Sequence, residues 1–403
     1  MSTDSLPEHV RRPHLRPIQP MPITNQQGQP FIALRDPVML VTQTLVVPPA
    51  AMQIVQQFHG RQTIEEIAGQ LGGDIKQFAE LAQRLDQVGL LWGPTFDKLE
   101  GELRKKIRDR GVFTPPAAAT LGNDAAASRQ AIEKFLADTD DPEIDGQITA
   151  IVAPHLDYQR GWPNYAAAYF GLKGVPKPDR VIVLGTNHFG LGDGVVLSEF
   201  GFETPLGRCP ADAAAVSALM SRFGGDLTID QLDHVPEHSI GLHMPWLQYF
   251  FNDVPVVAAL MPDPLAAMID DDKSSRITVE AFCEALKTTL GEVGGRTFFV
   301  ASSDLSHVGP QFGEPRPVDD QRRIDVEKHD RDLMGKFMTG DAEDFLAAMK
   351  WCNNPTRWCS VGNMAALLML AQPAQVELID YRQAYDDKGM AMVSSAAMVL
   401  TGP

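Results

Sequence analysis

From residue 128 onward the chain alternates short, almost unbroken apolar runs with longer stretches whose apolar positions recur every three or four residues. The runs predict strands at 148–153, 180–185, 194–198, 254–260, 297–302, 375–381 and 391–400. The periodic stretches predict helices at 128–138, 163–172, 210–222, 237–251, 277–290, 320–338, 341–351 and 361–371. Strands without alternation are buried on both faces, so the expected fold class is α/β, a sheet with helices on both sides.

The first third of the chain is patterned differently. Residues 1–30 are rich in Pro, Gln and Arg and read as a flexible arm. Residues 31–93 read as a compact unit, with short strands near 31–34 and 38–47 and a helix over 49–58 stopped by Gly60. Thr63 and Glu66 are spaced as a capping box at the start of a second helix. Asp74 can cap a third, over 75–88, with Ile75, Phe78, Leu81, Leu85 and Val88 on one face. Gly89 suits its end, and Leu90, Leu91 and Trp92 read as a returning strand, giving a small winged-helix-like domain. Residues 94–112 form a charged helix whose cations and carboxylates suit a solvated face. Thr114, Pro115, Pro116 and the alanines after them read as a linker, so 94–127 separates the small unit from a second domain over 128–403.

Charge narrows the partners. Residues 1–115 carry 13 Lys and Arg against 12 Asp and Glu, while the rest carries 22 against 40, a balance of −18 within a total of −17. An acidic body argues against nucleic acid as its ligand, and the third helix of the small unit offers only Lys76 and Arg84 for phosphates. No apolar run approaches the roughly 20 residues that span a bilayer, and the N-terminus lacks the apolar core of a secretory signal. Four cysteines in 403 residues make no disulfide framework, so a reducing cytoplasm is expected.

Four stretches deliver polar clusters from the ends of apolar elements: APHLDY at 153–158, VIVLGTNH at 181–188, FFVASSDLSH at 298–307 and TRWCSVGN at 356–363. In open α/β sheets, sites form beyond the carboxyl ends of the strands. His155 and His188 stand 33 residues apart, about one β-α-β repeat, which predicts adjacent parallel strands with both imidazoles at one edge. Cys359 precedes a small-residue helix, whose dipole favours the thiolate as a metal ligand or nucleophile. Cys352 competes for that role but ends an amphipathic helix, and Cys209 and Cys283 read as structural. Asp304 and His307 supply a carboxylate and an imidazole for proton movement, with Asp304 expected to orient His307; otherwise Ser303 or Asp304 only caps a turn. Glu237 and His238 head a helix, the first at a favourable dipole position and the second as a pocket donor. His234, His243 and His329 lack such company and read as surface residues. The run GLGDG at 190–194 lacks the spacing of a dinucleotide fingerprint.

Two resemblances follow from these residues. FHGRQTIEEIA at 58–68 and VGLL at 88–91 resemble the PqqD-like family, which implies a peptide-docking module in systems with radical S-adenosylmethionine enzymes. A helical unit serving only solubility or dimerisation accounts for the same stretch. Ala153, Pro154, His155 and Tyr158, then LGTNH at 184–188, TPLG at 204–207, EHSI at 237–240, SSDLSH at 302–307 and Cys359 together resemble the Memo family, over about residues 145–401. Its bacterial and archaeal members are called AmmeMemoRadiSam system protein B. The resemblance implies an α/β sandwich similar to the LigB-like class III extradiol dioxygenases. It implies His155, His188 and Cys359 as metal ligands, Asp304 and His307 as the catalytic pair beside them, and Tyr158, Glu237, His238 and Ser303 around a substrate pocket. This sequence departs from the family pattern at Phe189, where a second His is usual, at Leu156 and Asp157 in place of Ala-Gly, and at Ser360 in place of Gly.

Two imidazoles and a thiolate favour non-haem Fe(II), with Cu or Zn as alternatives, over Mg or Ca. The implied activity is a metal-dependent, dioxygenase-like oxidoreductase partnered by a radical S-adenosylmethionine protein and an AMMECR-type protein. The chain lacks the Cys-x3-Cys-x2-Cys run of the radical enzyme itself. A non-catalytic metal-binding or peptide-docking component and a zinc hydrolase are the other readings.

Overall fold

The computed structural model describes residues 6–41, 43–190, 194–265 and 276–402. The middle of the 190–194 run therefore lies outside the described residues. The chain divides into two compact units, Met1–Arg110 and Gly111–Pro403.

In the first unit, α1 (Glu8–Arg11) leads to a three-stranded antiparallel sheet of β1 (Gln19–Thr24), β2 (Pro30–Arg35) and β3 (Leu45–Val47). Four helices follow: α2 (Ala51–Val55), α3 (Ile64–Leu71), α4 (Ile75–Gln87) and α5 (Pro94–Arg110). Thr63 and Glu66 close the expected capping box, each side chain bonding the other's backbone N–H. Gly72 ends α3 in the left-handed region at φ 69°, where a β-carbon would be strained. The segment read as an arm is instead built in from residue 8: β1 pairs along β2, and Val10 and Arg16 are buried. Leu91 makes an isolated bridge to Leu15 rather than a strand. Residues 8–24 are thus part of this unit.

The second unit opens with β4 (Val112–Phe113), which pairs with β8 (Gly201–Thr204) and, through it, β9 (Gly207–Cys209). The alanine-rich stretch read as a linker forms a 3-10 helix, Pro116–Leu121, with Ala118 and Leu121 buried. Its small side chains let the turn sit close, and Gly241 has Pro115 where a β-carbon would go, 2.5 Å away. The helices are α6 (Ala125–Ala137), α7 (Tyr158–Phe170), α8 (Ala213–Phe223), α9 (Met244–Phe251), α10 (Val279–Val293), α11 (Asp320–Phe337), α12 (Ala342–Cys352) and α13 (Val361–Ala371). The remaining strands are β5 (Ile148–Ala153), β6 (Arg180–Thr186), β7 (Val196–Leu197), β10 (Val256–Met261), β11 (Thr297–Ser302), β12 (Asp304–Val308), β13 (Gln375–Tyr385) and β14 (Met392–Thr401). The expected α/β architecture holds: an eight-stranded sheet in the order β12-β14-β5-β11-β6-β10-β7, with β13 along β14. Every residue of β6, β10 and β14 is buried, as strands covered on both faces require. Helices α8, α10 and α13 pack together as one layer and α6, α7 and α9 as another.

Two features of the sheet position the site. The strands carrying His155 and His188 are not neighbours, because β11 lies between β5 and β6 and pairs in parallel with both. A sequence spacing of one repeat cannot reveal that a strand about 115 residues later inserts between them. The second feature is β14, whose Met398–Thr401 half pairs with β5 and whose Met392–Ser395 half pairs with β12. β5 and β12 therefore share one edge of β14 end to end, which aims the exit of β5 at Asp304, the first residue of β12.

Candidate metal centre

His155 and His188 each stand two residues past the end of their strand, and β11 delivers Ser302 between them. The Ser302 hydroxyl donates to the Ser239 carbonyl at 2.6 Å, so its oxygen must accept the His155 Nδ1–H at 3.1 Å. That fixes the tautomer and leaves the Nε2 lone pair of His155 facing inward. The carboxylate of Glu237 does the same for His188, with Nδ1 at 3.1 and 3.2 Å from its two oxygens. Glu237 also accepts the backbone N–H groups of His188, His238 and Ser239, each at 2.8 Å. A buried carboxylate with this many donors is a fixed anchor rather than a helix-end ornament. Burial opposes its charge, yet the hydrogen bond and positive charge of His188 hold its carboxyl down at about 2.

Cys359 comes in from the other side, just before α13. Asn363 in the first turn of α13 donates to the Ser302 carbonyl at 2.6 Å and to Thr186 Oγ1 at 2.8 Å, and Thr186 Oγ1 donates to the Cys359 carbonyl at 3.3 Å. These bonds tie the Cys359 backbone to the ends of β6 and β11. The sulfur lies 3.2 Å from His155 Nε2. The sequence expectation is that one ring nitrogen of each histidine and this sulfur converge; the sulfur meets His155, while the cluster of three ligand atoms among the described residues is His155, His188 and His238.

The donor set suits a soft divalent ion. Nitrogen at about 2.0–2.1 Å and sulfur at about 2.3 Å from one ion stand roughly 3.1–3.6 Å apart at angles of about 90–110°, and the His155–Cys359 separation of 3.2 Å falls in that span. His238 enlarges the set, since one ring nitrogen from each of His155, His188 and His238 lies within 4.8 Å of the others. Its Nδ1 is also 3.2 Å from Glu237 Oε1. Burial and the neighbouring charges of His188 and His238 drive His155 well below the usual imidazole range. His155 is thus neutral near pH 7, as a ligand must be. For His188 burial also opposes protonation, but the hydrogen bonds to Cys359 and Glu237 prevail and raise it to about 10. A metal cation and that proton compete for the same lone pair.

Asp304 sits beside His155 rather than beside His307. Its Oδ1 accepts the His155 backbone N–H at 3.0 Å and its Oδ2 is 3.7 Å from His155 Nε2. Burial raises its carboxyl to about 7, against the pull of those backbone donors and of His188. The expected role of orienting His307 is therefore not filled by Asp304. His307 Nδ1 instead faces two carbonyls, Leu305 at 3.0 Å and Arg357 at 3.2 Å, so Nδ1 carries the proton and Nε2 the lone pair. A bulge makes this possible: Asp304 pairs with Ser395 and His307 with Val393, three steps on one strand against two on the other. The extra residue flips the parity of β12 and turns Asp304 and His307 to the same side.

Burial lowers His307 to about 4. Its NMR titration is therefore expected to show a midpoint near 4 with the Nδ1–H tautomer above it. A midpoint near the ordinary 6.5 would mean the ring is solvated and swings free of the two carbonyls.

Of the other residues expected around a pocket, Ser303 is fully buried with an unpartnered Oγ. Tyr158 is committed elsewhere, its hydroxyl donating to the Leu242 carbonyl at 2.5 Å. His234 and His243, read as surface residues, are buried. His243 sits against Tyr165 and Tyr169 and takes the Tyr169 hydroxyl at 2.9 Å, while His234 packs on Phe113 and Phe202. Both are isolated in sequence, and their aromatic neighbours lie on other elements, so no local pattern marks them. His329 is half-buried on α11. Cys209 and Cys283 are buried, and all four cysteines are free thiols. Among the described residues no helix is long and apolar enough to cross a membrane.

A family model described as Memo-like protein matches residues 117–399. Among curated relatives, a MEMO1 family protein of Pyrobaculum aerophilum is 34% identical over 170 residues, 42% of this chain and 57% of the relative, less than two thirds of its length. One of Methanopyrus kandleri is 30% identical over 266 residues, 63% of this chain and 84% of the relative. One of Aquifex aeolicus is 24% identical over 382 residues, 92% of this chain and 96% of the relative.

Proposed function

The chain belongs to the Memo family, and on that premise we propose that it is a metal-dependent oxidoreductase in which His155, His188 and Cys359 hold one non-haem Fe(II). The finer assignment is AmmeMemoRadiSam system protein B, of LigB-like fold, acting with a radical S-adenosylmethionine protein and an AMMECR-type protein. In that assignment the first unit is a PqqD-like, winged-helix-like module that docks a peptide. The observation that carries the reading is the 3.2 Å approach of Cys359 Sγ to an imidazole nitrogen whose lone pair is kept free by Ser302. Iron there supplies one-electron chemistry and open coordination positions. The protein's own groups do the rest. Glu237 and Ser302 hold the tautomers of His188 and His155. Asp304, titrating at about 7, can give or take a proton beside His155. His307, neutral above about 4, offers Nε2 as a base. Of the two, Asp304 is the group tuned near neutral pH, where catalytic groups move protons most effectively.

One observation favours a second reading. The three imidazoles of His155, His188 and His238 form a nitrogen set of the kind that binds zinc and activates water for hydrolysis. Anaerobic purification and metal analysis of wild type, Cys359→Ala and His238→Ala separates the two. Iron retained in His238→Ala but lost in Cys359→Ala, with dioxygen consumption by the wild type, supports the oxidoreductase. Zinc retained in Cys359→Ala and lost in His238→Ala overturns it. Metal without turnover, with a peptide bound by the first unit, makes the chain a docking component.

A further inference from the structure

The loop that presents Cys359 is strained. Asn353, Asn354 and Arg357 hold φ of 56°, 42° and 59°, three of the seven non-glycine residues with positive φ among the described residues. Residues with a β-carbon rarely adopt such conformations, which persist where their surroundings enforce them. Two sets of contacts do so here. Asn354 brackets Trp358, accepting its backbone N–H at 2.7 Å and donating to its carbonyl at 2.9 Å. The Trp358 ring is 2% exposed and donates Nε1–H to Asp330 Oδ1 at 2.8 Å.

Asp330, on α11, is fully buried and touches none of the candidate ligands. Its carboxylate collects four donors, from β12, β13, β14 and the loop before α13. Oδ1 takes Trp358 Nε1 and the Ser306 hydroxyl, at 2.8 and 2.5 Å; Oδ2 takes the Tyr381 and Ser394 hydroxyls, at 2.8 and 2.5 Å. Ser306 lies between Asp304 and His307 on the bulged strand, and Trp358 immediately precedes Cys359. The Ser394 hydroxyl also accepts the Ser306 backbone N–H at 2.9 Å, locking the bulge. One carboxylate is thus clamped to both chain segments that deliver sulfur, carboxylate and imidazole to the centre. A buried carboxylate in an otherwise apolar core is costly unless every lone pair is used. A purely structural core would be served as well by an apolar residue at 330.

We infer that Asp330 is a positioning residue of the metal centre: through Trp358 and Ser306 it holds the strained loop and the bulge so that Cys359 Sγ meets the two imidazoles. This rests on the reading of Cys359 as a ligand. The test replaces the native metal with Co(II), whose sulfur-to-cobalt absorption reports the Cys359 bond while its visible bands report binding as such. Trp358→Phe removes the N–H and keeps a smaller aromatic ring in the same place, so it is the variant to rely on where Asp330→Ala does not fold. Both are expected to lose most of the sulfur band and to bind Co(II) about 10–100-fold more weakly, the usual effect of removing a group that orients a ligand. Asp330→Asn, which can still accept from Trp358 and donate to Ser394, is expected to recover part of the band. An unchanged band and affinity in Trp358→Phe, beside a wild type that shows the band, overturns the positioning role alone. A wild type that binds Co(II) with no sulfur band overturns the ligand reading as well.

Discussion

Replacing Glu237 by Ala is expected to cost about 3–5 kcal/mol of stability, the range for removing one member of a buried, hydrogen-bonded charge pair. The side chain is 2% exposed and anchors the Nδ1 of His188 and three backbone N–H groups. Every one of those donors would be left facing a void. Glu237→Gln keeps the shape and loses the charge, so its effect should depend on pH. A carboxyl held at about 2 instead of 4.5 stabilises the fold above its unfolded value and loses that stabilisation as pH falls toward 2. An imidazole raised from 6.5 to about 10 stabilises below its unfolded value and loses that as pH rises through about 10. The two shifts describe one pair and are counted once. In chelated protein, the stability gap between wild type and Glu237→Gln is therefore expected to be widest between about pH 4.5 and 6.5 and to narrow on either side. Urea unfolding across that range measures it, and a gap that does not vary with pH would show that the pair is not charged. With metal present the same variant should bind about 10–100-fold more weakly.

Much of this was legible in the chain because burial leaves a plain record. β5 and β11 have the bounds that their apolar runs predict, and α13 spans the small-residue stretch expected of it. The polar groups at their ends were visible for the same reason: a histidine or aspartate directly after an unbroken apolar run has left the core and needs another explanation. Order in the sheet was not legible. Nothing local to 148–188 tells that β11 will come between β5 and β6, so the two histidines converge across an intervening strand that itself supplies Ser302. The bulge in β12 was hidden too, since it exists only in register with β14, and with it went the expectation that Asp304 orients His307. Glu237 was seen as a helix-end acid, but its helix begins only at Met244 after a 3-10 turn, which frees the carboxylate to reach back to His188. Composition misled most at the amino terminus. The Pro, Gln and Arg content that suggested an arm conceals an arginine whose partner lies 20 residues away.

That arginine gives the other large effect. Arg16 and Asp36 have side chains 1% and 0% exposed and are joined at 3.2 Å. The guanidinium also donates to the Gly89 carbonyl at 2.8 Å and lies 4.2 Å from the centre of the Phe96 ring. Asp36 takes the backbone N–H groups of Val38 and Val41 as well. Asp36→Ala leaves a buried cation with a single carbonyl and a ring face, and about 3–5 kcal/mol of stability should go with it. The loss should stay within the first unit. Hydrogen exchange is expected to quicken in β2 and α4 while β5, β6 and β11 keep their protection, because no part of this pair lies in Gly111–Pro403. An Arg16→Met, Asp36→Leu double variant removes both charges and should recover much of the loss, leaving the cost of the Val38 and Val41 donors. Were the double variant to fall further than Asp36→Ala alone, the pair itself would be a net source of stability, and residues 6–18 would be held down by its attraction rather than by the apolar packing of Val10, Leu15 and Ile18 around it.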